Sequence, residues 1–155
     1  MRALSIKAFF FAAMMAVYGA GNLYALDGLA PLKYAYEAMN DDDFKQGESL
    51  YLDHCASCHG IKLQGEPNWQ TPNPDGTMPA PPHDVSGHSW HHPDDVLFAY
   101  TKLGGKGYMK KLGAHDPQSN MPSYDGILSD HQIWRIIHYI KSTWPDDIRE
   151  MQSEF

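Results

Sequence analysis

The sequence predicts an all-α domain of three main helices joined by long loops. Three segments carry apolar residues at helical spacing, and each begins with residues that favour a helix N-terminus; they cover residues 41–55, 93–103 and 129–144. No segment shows the strict alternation of apolar and polar residues that half-buried strands require. The length of 155 residues fits one domain with short extensions.

The first helix is predicted to start at three consecutive aspartates, residues 41–43, because acidic side chains favour a helix N-terminus. It runs into Cys55, and its apolar residues are three or four apart: Phe44, Leu50 and Tyr51. Gly47 lies inside this helix, where glycine costs about 1 kcal/mol relative to alanine. We therefore expect another element to pack very close to Gly47.

The second helix is predicted from Pro93, which suits the first turn, to Leu103, after which two glycines stop it. Proline and turn dipeptides fill residues 67–82, and this stretch is expected to be an ordered loop. Residues 106–119 show no clear period and are expected to form a second loop.

The last helix has the clearest boundaries. Ser129 and Gln132 form a capping box, and Trp144-Pro145 ends the helix. One apolar stripe follows the cap, made of Ile133, Ile136, Ile137 and Ile140. The tail, residues 146–155, is polar and expected to be peripheral.

The pentapeptide Cys55-Ala56-Ser57-Cys58-His59 is a C-x-x-C-H sequence, which is the attachment signal of a c-type haem. Two thiols three residues apart on a helical turn share a face, so both can reach the vinyl groups of one porphyrin. His59 can then present an imidazole nitrogen to the iron. Structural zinc usually takes four ligands in two pairs, and a redox dithiol does not need His59, so both alternatives are weaker.

Met121 is predicted to be the second axial ligand of the iron. It precedes Pro122, which disfavours helix at Met121, and it lies far enough along the chain to reach the opposite haem face. A thioether also raises the reduction potential relative to a second imidazole. Met78, Met109 or a histidine are the alternatives.

Residues 43–144 resemble a class I mono-haem cytochrome c. The specific features are Gly47 eight residues before Cys55, the haem motif, and Met121-Pro122-Ser123-Tyr124 just before a capped final helix. The resemblance implies a cytochrome c fold, with loops wrapped around one covalently attached haem c. It also implies that Gly47 packs against Tyr139 of the last helix.

The resemblance further implies that a proline carbonyl accepts a hydrogen bond from His59 and so orients the ring. The candidates are Pro79, Pro81 and Pro82. Aromatic side chains at Trp69, Trp90 and Tyr124 are either donors to the haem propionates or packed core residues.

A histidine cluster is a departure from a minimal cytochrome. Four histidines fall within ten positions: His83, His88, His91 and His92. Since imidazole is a common copper and zinc ligand, His88, His91 and His92 are a candidate second metal site. The alternative is a polar loop without metal.

Residues 1–25 resemble an export signal, with a positive start, an apolar stretch and small residues near residue 25. An uncleaved membrane anchor is the alternative. Residues 26–40 form a lead-in, and the cytochrome domain is placed at residues 41–145. Export agrees with haem attachment, which in bacteria takes place in the periplasm.

The formal charge is −7, and removing Arg2 and Lys7 with the signal would take it to −9. This acidity argues against nucleic acid and anionic membrane surfaces as partners. It favours a redox partner with a basic docking patch. A copper protein is the other candidate partner.

The sequence predicts a periplasmic electron carrier rather than an enzyme, because no nucleophile or acid–base pair is evident. Two other functions stay open. One is a haem enzyme or ligand sensor with an openable sixth position, and the other is a membrane-anchored cytochrome subunit of a larger oxidoreductase.

Overall fold

The computed structural model describes residues 39–155, and no strand occurs in this part of the chain. Its elements are α1 (Asp41–His54), α2 (Ala56–His59), a 3-10 turn (Ser89–His91), α3 (Asp94–Lys111), α4 (Asp130–Ser142) and α5 (Asp146–Ser153). The predicted all-α class is confirmed. The predicted signal segment, residues 1–25, and most of the lead-in lie outside the described residues. No helix within residues 39–155 has the length and apolarity needed to cross a membrane.

Helix α1 begins at Asp41, as predicted, and Asn40 is its N-cap. The Asn40 side chain accepts hydrogen bonds from the backbone N–H groups of Asp42 and Asp43, at 2.9 and 3.2 Å. The Asp43 carboxylate in turn accepts from the backbone N–H of Asn40 at 3.2 Å. This capping box satisfies N–H groups that a helix start leaves without partners.

Helices α1 and α4 cross at Gly47, as the resemblance to cytochrome c implied. A Cβ atom added to Gly47 would lie 2.2 Å from the backbone oxygen of Arg135 and 3.2 Å from Cβ of Tyr139. Beside this contact, Arg135 Nε donates to the Asp43 carboxylate at 2.7 Å. The bond from Arg135 is the main cause of the lowered pKa of Asp43. The missing side chain at Gly47 thus sets how closely the two helices approach.

Helix α4 carries the core. Its predicted capping box is present, with Gln132 N–H donating to Ser129 Oγ at 3.3 Å and Ser129 N–H donating to Gln132 Oε1 at 2.9 Å. All four isoleucines of the predicted stripe are buried. Trp134 is also buried, and its ring stacks on Phe98 of α3 with centroids 4.8 Å apart. Burial of this face supplies the main hydrophobic stabilisation of the domain.

Helix α3 is longer than predicted. Gly104 adopts φ 68° and ψ 164°, which interrupts the helix, but helical structure resumes and continues to Lys111. The predicted stop at Gly104 was therefore a kink, and the predicted loop over residues 106–119 is partly helix. Met109 lies in this helical extension and not in a flexible loop.

The segment predicted as a polar, peripheral tail contains helix α5, Asp146–Ser153, in which Gln152 is buried. Gln152 Nε2 donates to the backbone oxygen of His92 at 3.0 Å and to Asp94 Oδ1 at 2.8 Å. Asp94 also accepts two bonds from the buried Lys141 ammonium, at 2.6 and 2.8 Å. Buried polar groups need such partners, and this network holds α5 against the ends of α3 and α4.

Candidate haem site

The C-x-x-C-H motif lies at the junction of two helices. Cys55 caps the end of α1, and the single turn of α2 carries Cys58 and His59 before Gly60, at φ 81°, ends it. Both thiols are free; Cys55 is buried and Cys58 is exposed. Burial, with a smaller contribution from Cys58, raises the pKa of Cys55 to about 12, so this thiol is neutral at pH 7.

His59 is buried, with 6% of its surface exposed, and its ring has a fixed orientation. Its Nδ1 lies 2.8 Å from the backbone oxygen of Pro81, so Nδ1 carries the proton and donates. Among the described residues, no hydrogen bond engages Nε2. Burial lowers the pKa of His59, which keeps the ring neutral and leaves an unprotonated Nε2 for a metal. Of the three predicted prolines, the structure selects Pro81.

Two contacts hold the segment that contains Pro81. Gly65, at φ 69°, packs so closely that a Cβ atom there would lie 2.5 Å from the backbone nitrogen of Pro82. On the other side, Trp144 Nε1 donates to the backbone oxygen of His83 at 2.8 Å. The acceptor of the His59 proton is therefore fixed from both flanks.

His83 is a site residue that sequence reasoning missed. Its ring stacks on His59 with centroids 3.9 Å apart and an interplanar angle of 15°, and the Tyr51 ring meets its edge at 5.9 Å. Its buried Nδ1 has no hydrogen-bond partner among the described residues. Burial holds the pKa of His83 well below its usual range, so the ring is neutral. The signal in the sequence was its position two residues after Pro81.

Met121 lies in a segment that packs over the kink of α3. The backbone N–H of Gly105 donates to the Met121 carbonyl at 3.2 Å. A Cβ atom at Gly104 would lie 2.6 Å from the backbone of Pro122 and Ser123. The sequence predicted a helix end at Gly104. The structure has a kink there, and the segment that carries the predicted sixth ligand packs against it.

Tyr124 connects the Met121 segment to the motif. Its hydroxyl donates to the backbone oxygen of His54, and its own N–H donates to the carbonyl of Lys102 at 3.1 Å. Burial first, and then the two cysteines, raise the pKa of Tyr124 to about 12. The one proton of this hydroxyl is already donated, so the suggested role of Tyr124 as a propionate donor is wrong, and the packed-aromatic alternative applies.

The two other candidate propionate donors stack on neighbouring rings. Trp69 stacks on His88 with centroids 5.5 Å apart, and Trp90 stacks on His91 at 3.6 Å. The buried Nε1 of Trp90 has no partner among residues 39–155. A propionate contact of Trp90 stays a prediction.

The histidines of the candidate second metal site, His88, His91 and His92, make aromatic contacts with their neighbours. In the described part of the chain, no three His, Cys, Asp or Glu side chains come together in a way that could hold a metal ion. His88 and His92 meet edge to face at 5.5 Å, whereas His91 is stacked on Trp90. Aromatic stacking, rather than a shared ligand geometry, directs these rings.

The residues present fit a c-type haem. The motif supplies two free thiols and a buried neutral imidazole whose Nδ1 is already satisfied by Pro81. A half-buried thioether, Met121, lies three residues before the tyrosine that touches the motif. Met78, one of the alternative ligands, is 46% exposed. This donor set suits an iron held between an imidazole and a thioether.

Comparison with known proteins agrees with a haem protein. A family model described as "Cytochrome c" matches residues 44–144. A curated relative named nitrite reductase, from Stutzerimonas stutzeri, is 26% identical over 128 residues. That match covers 79% of the chain but 20% of the relative, so the chain spans about a fifth of the relative's length. No solved structure matches the chain.

Proposed function

Because the chain belongs to the cytochrome c family, we propose that it is an exported mono-haem electron carrier whose iron is held by His59 and Met121. Membership of the family implies a covalently bound haem c. The observation that carries the proposal is the buried His59 ring, with Nδ1 fixed by Pro81 at 2.8 Å. A ring fixed in this way presents Nε2 in one direction, as an axial ligand must.

Each residue of the site has a distinct role in this proposal. When bound, the haem supplies a one-electron couple at its iron. Cys55 and Cys58 anchor it through thioether bonds, while the bond from His59 to Pro81 fixes the imidazole and raises its basicity. Met121 supplies the thioether that favours the ferrous state. No proton transfer or substrate pocket is needed for this function.

Charge and the export signal suggest where the carrier works. A net charge of −7, or −9 without the first 25 residues, favours a partner with a basic docking patch over nucleic acid. A copper protein is the other candidate partner. We place this exchange in the periplasm, where c-type haem is attached in bacteria. Mixing the purified protein with basic and acidic redox partners at rising salt would test the charge complementarity.

The ligand assignment is tested on haem-loaded protein by optical spectroscopy. The ferric wild type should show the weak absorption band, at the red end of the visible spectrum, that a sulfur–iron bond gives. Met121→Ala should lose this band and bind cyanide rapidly. Met78→Leu and Met109→Leu are matched controls that should keep the band. Its persistence in Met121→Ala would refute the assignment. A high-spin wild type that binds cyanide rapidly would instead favour a haem enzyme or ligand sensor.

A second candidate function is that of a cytochrome subunit in a larger oxidoreductase. The observation that favours it is the likeness to a nitrite reductase about five times as long as the matching region. Sequencing the N-terminus of the mature protein and fractionating the cells would separate the two proposals. The subunit proposal would be favoured if the mature protein keeps residues 1–25, is found in the membrane fraction and co-purifies with a larger protein.

A further inference from the structure

The proline-rich loop, residues 67–82, is hydrogen-bonded to the segment that carries Met121. Thr77 of the loop is buried, with 4% of its surface exposed. Its Oγ1 accepts bonds from Asn73 Nδ2 and from Asn120 Nδ2, both at 3.1 Å, and donates to Asp75 Oδ1 at 2.7 Å. A hydroxyl has one proton and two lone pairs, so the Thr77 hydroxyl makes all three hydrogen bonds that it can form.

On the loop side of this contact, residues 73–77 are hydrogen-bonded to one another, which makes this part of the loop stiff. The backbone N–H of Asn73 donates to the Thr77 carbonyl at 2.8 Å, and that of Gly76 donates to the Asn73 carbonyl at 2.9 Å. The Asp75 carboxylate also accepts the Thr77 N–H at 3.0 Å. These bonds from Thr77 lower the pKa of Asp75, so its carboxylate stays ionised at pH 7. The Thr77 hydroxyl is thus a fixed acceptor.

The other side of the contact is directly joined to Met121. Asn120 precedes Met121, whose N–H donates to Ser119 Oγ at 3.2 Å and whose carbonyl accepts from Gly105 at 3.2 Å. These backbone bonds fix Met121 to its own segment and to α3. The Asn120 side chain adds the one described hydrogen bond from this segment to the proline-rich loop, 43 positions away in sequence.

We propose that the hydrogen bond between Thr77 and Asn120 holds the Met121 segment closed, which makes Thr77 and Asn120 positioning residues for the sixth iron ligand. This inference rests on the proposed ligation by Met121. It gives the proline-rich loop a role that a minimal cytochrome would not require. Without the bond, the Met121 segment should open more often and admit external ligands.

The expected effect is measured as the rate at which cyanide replaces the native ligand in the ferric, haem-loaded protein. Asn120→Ala removes the donor at an exposed position and should raise this rate about fivefold, equivalent to the net value of one hydrogen bond, about 1 kcal/mol. Thr77→Val should give a rise at least as large. In the double variant the two effects should not add, because both remove the same bond.

Two matched variants separate positioning from general damage. Thr77→Ser keeps the hydroxyl and should restore a rate close to the wild type. Asn73→Ala removes a bond to the same oxygen within the loop, and it should leave the cyanide rate nearly unchanged. Reduction potentials of the same variants give a second readout, in which loss of the Asn120 contact should lower the potential, since thioether ligation raises it.

Unchanged cyanide rates in Asn120→Ala and Thr77→Val, with the sulfur–iron band present in the wild type, would overturn the inference alone. Absence of that band from the wild type would overturn the proposed ligation and this inference with it. If Thr77→Val does not fold, Asn120→Ala decides the question, because its side chain is exposed.

Discussion

The replacement of Gly47 by alanine tests how closely α1 and α4 are required to pack. The new Cβ atom would lie 2.2 Å from the backbone oxygen of Arg135, about 1 Å closer than a carbon and a carbonyl oxygen normally approach. Because that oxygen belongs to a helix backbone, the overlap is relieved by moving one helix away from the other.

The cost of this movement can be estimated. Overpacking costs about 1–3 kcal/mol, and overlap with backbone places Gly47→Ala near the upper end. Separation of the helices would also weaken the contacts of Tyr139 with Phe44 and Tyr51, whose ring centroids lie 5.7 and 5.4 Å away. Alanine regains about 1 kcal/mol of helix propensity. We expect a net loss of about 2 kcal/mol in the free energy of unfolding.

Guanidinium unfolding of the haem-loaded protein at pH 7, followed by circular dichroism, measures this loss. Gly107→Ala in α3 is the matched control, since its Cβ would meet Leu103 Cβ at 3.3 Å and the position is exposed. This control should change stability by less than about 1 kcal/mol. Wild-type stability in Gly47→Ala would refute the claim that the glycine sets the helix separation.

Three further predictions follow from buried polar groups. Lys141→Met leaves Asp94 without its ammonium partner and should lower the free energy of unfolding in guanidinium by about 3 kcal/mol. Adding Asp94→Asn to this variant should recover most of the lost stability. If the two substitutions instead destabilise additively, the pairing is contradicted. The lowered pKa of His83 means that the folded state binds fewer protons than the unfolded state below about pH 6.5. Stability should therefore fall from pH 7 to pH 5, and less so in His83→Gln; equal slopes would count against this. Tyr124→Phe removes a hydrogen bond to His54 and should cost about 1 kcal/mol, measured at pH 7, where wild-type stability would be the contrary result.

Features fixed by short-range chemistry could be predicted from the sequence. The Ser129 capping box joins residues three positions apart, and the C-x-x-C-H motif spans five consecutive residues. Both can therefore be recognised from a short stretch of sequence. Gly47 was also readable, because an unfavourable glycine inside an amphipathic helix indicates a close neighbour.

Features that depend on long-range contacts could not be predicted in the same way. Whether Gly104 ends a helix or kinks it depends on the Met121 segment packing against it. Helix α5 depends on Gln152 reaching Asp94, 58 positions away. The stacking of His83 on His59 depends on how the proline-rich loop returns to the motif. Local helix and turn propensities carry no information about such contacts between residues distant in sequence.

The contact of Gln152 with Asp94 also bears on the order in which the chain is made. Gln152 lies 58 positions after Asp94, so the buried Asp94–Lys141 pair gains this partner only after that whole intervening stretch has been synthesised. A product that stops before Asp146 would lose the cover that α5 gives to this pair, although it would retain the entire haem motif. Integrity of residues 146–153 is therefore a condition for a fully closed domain.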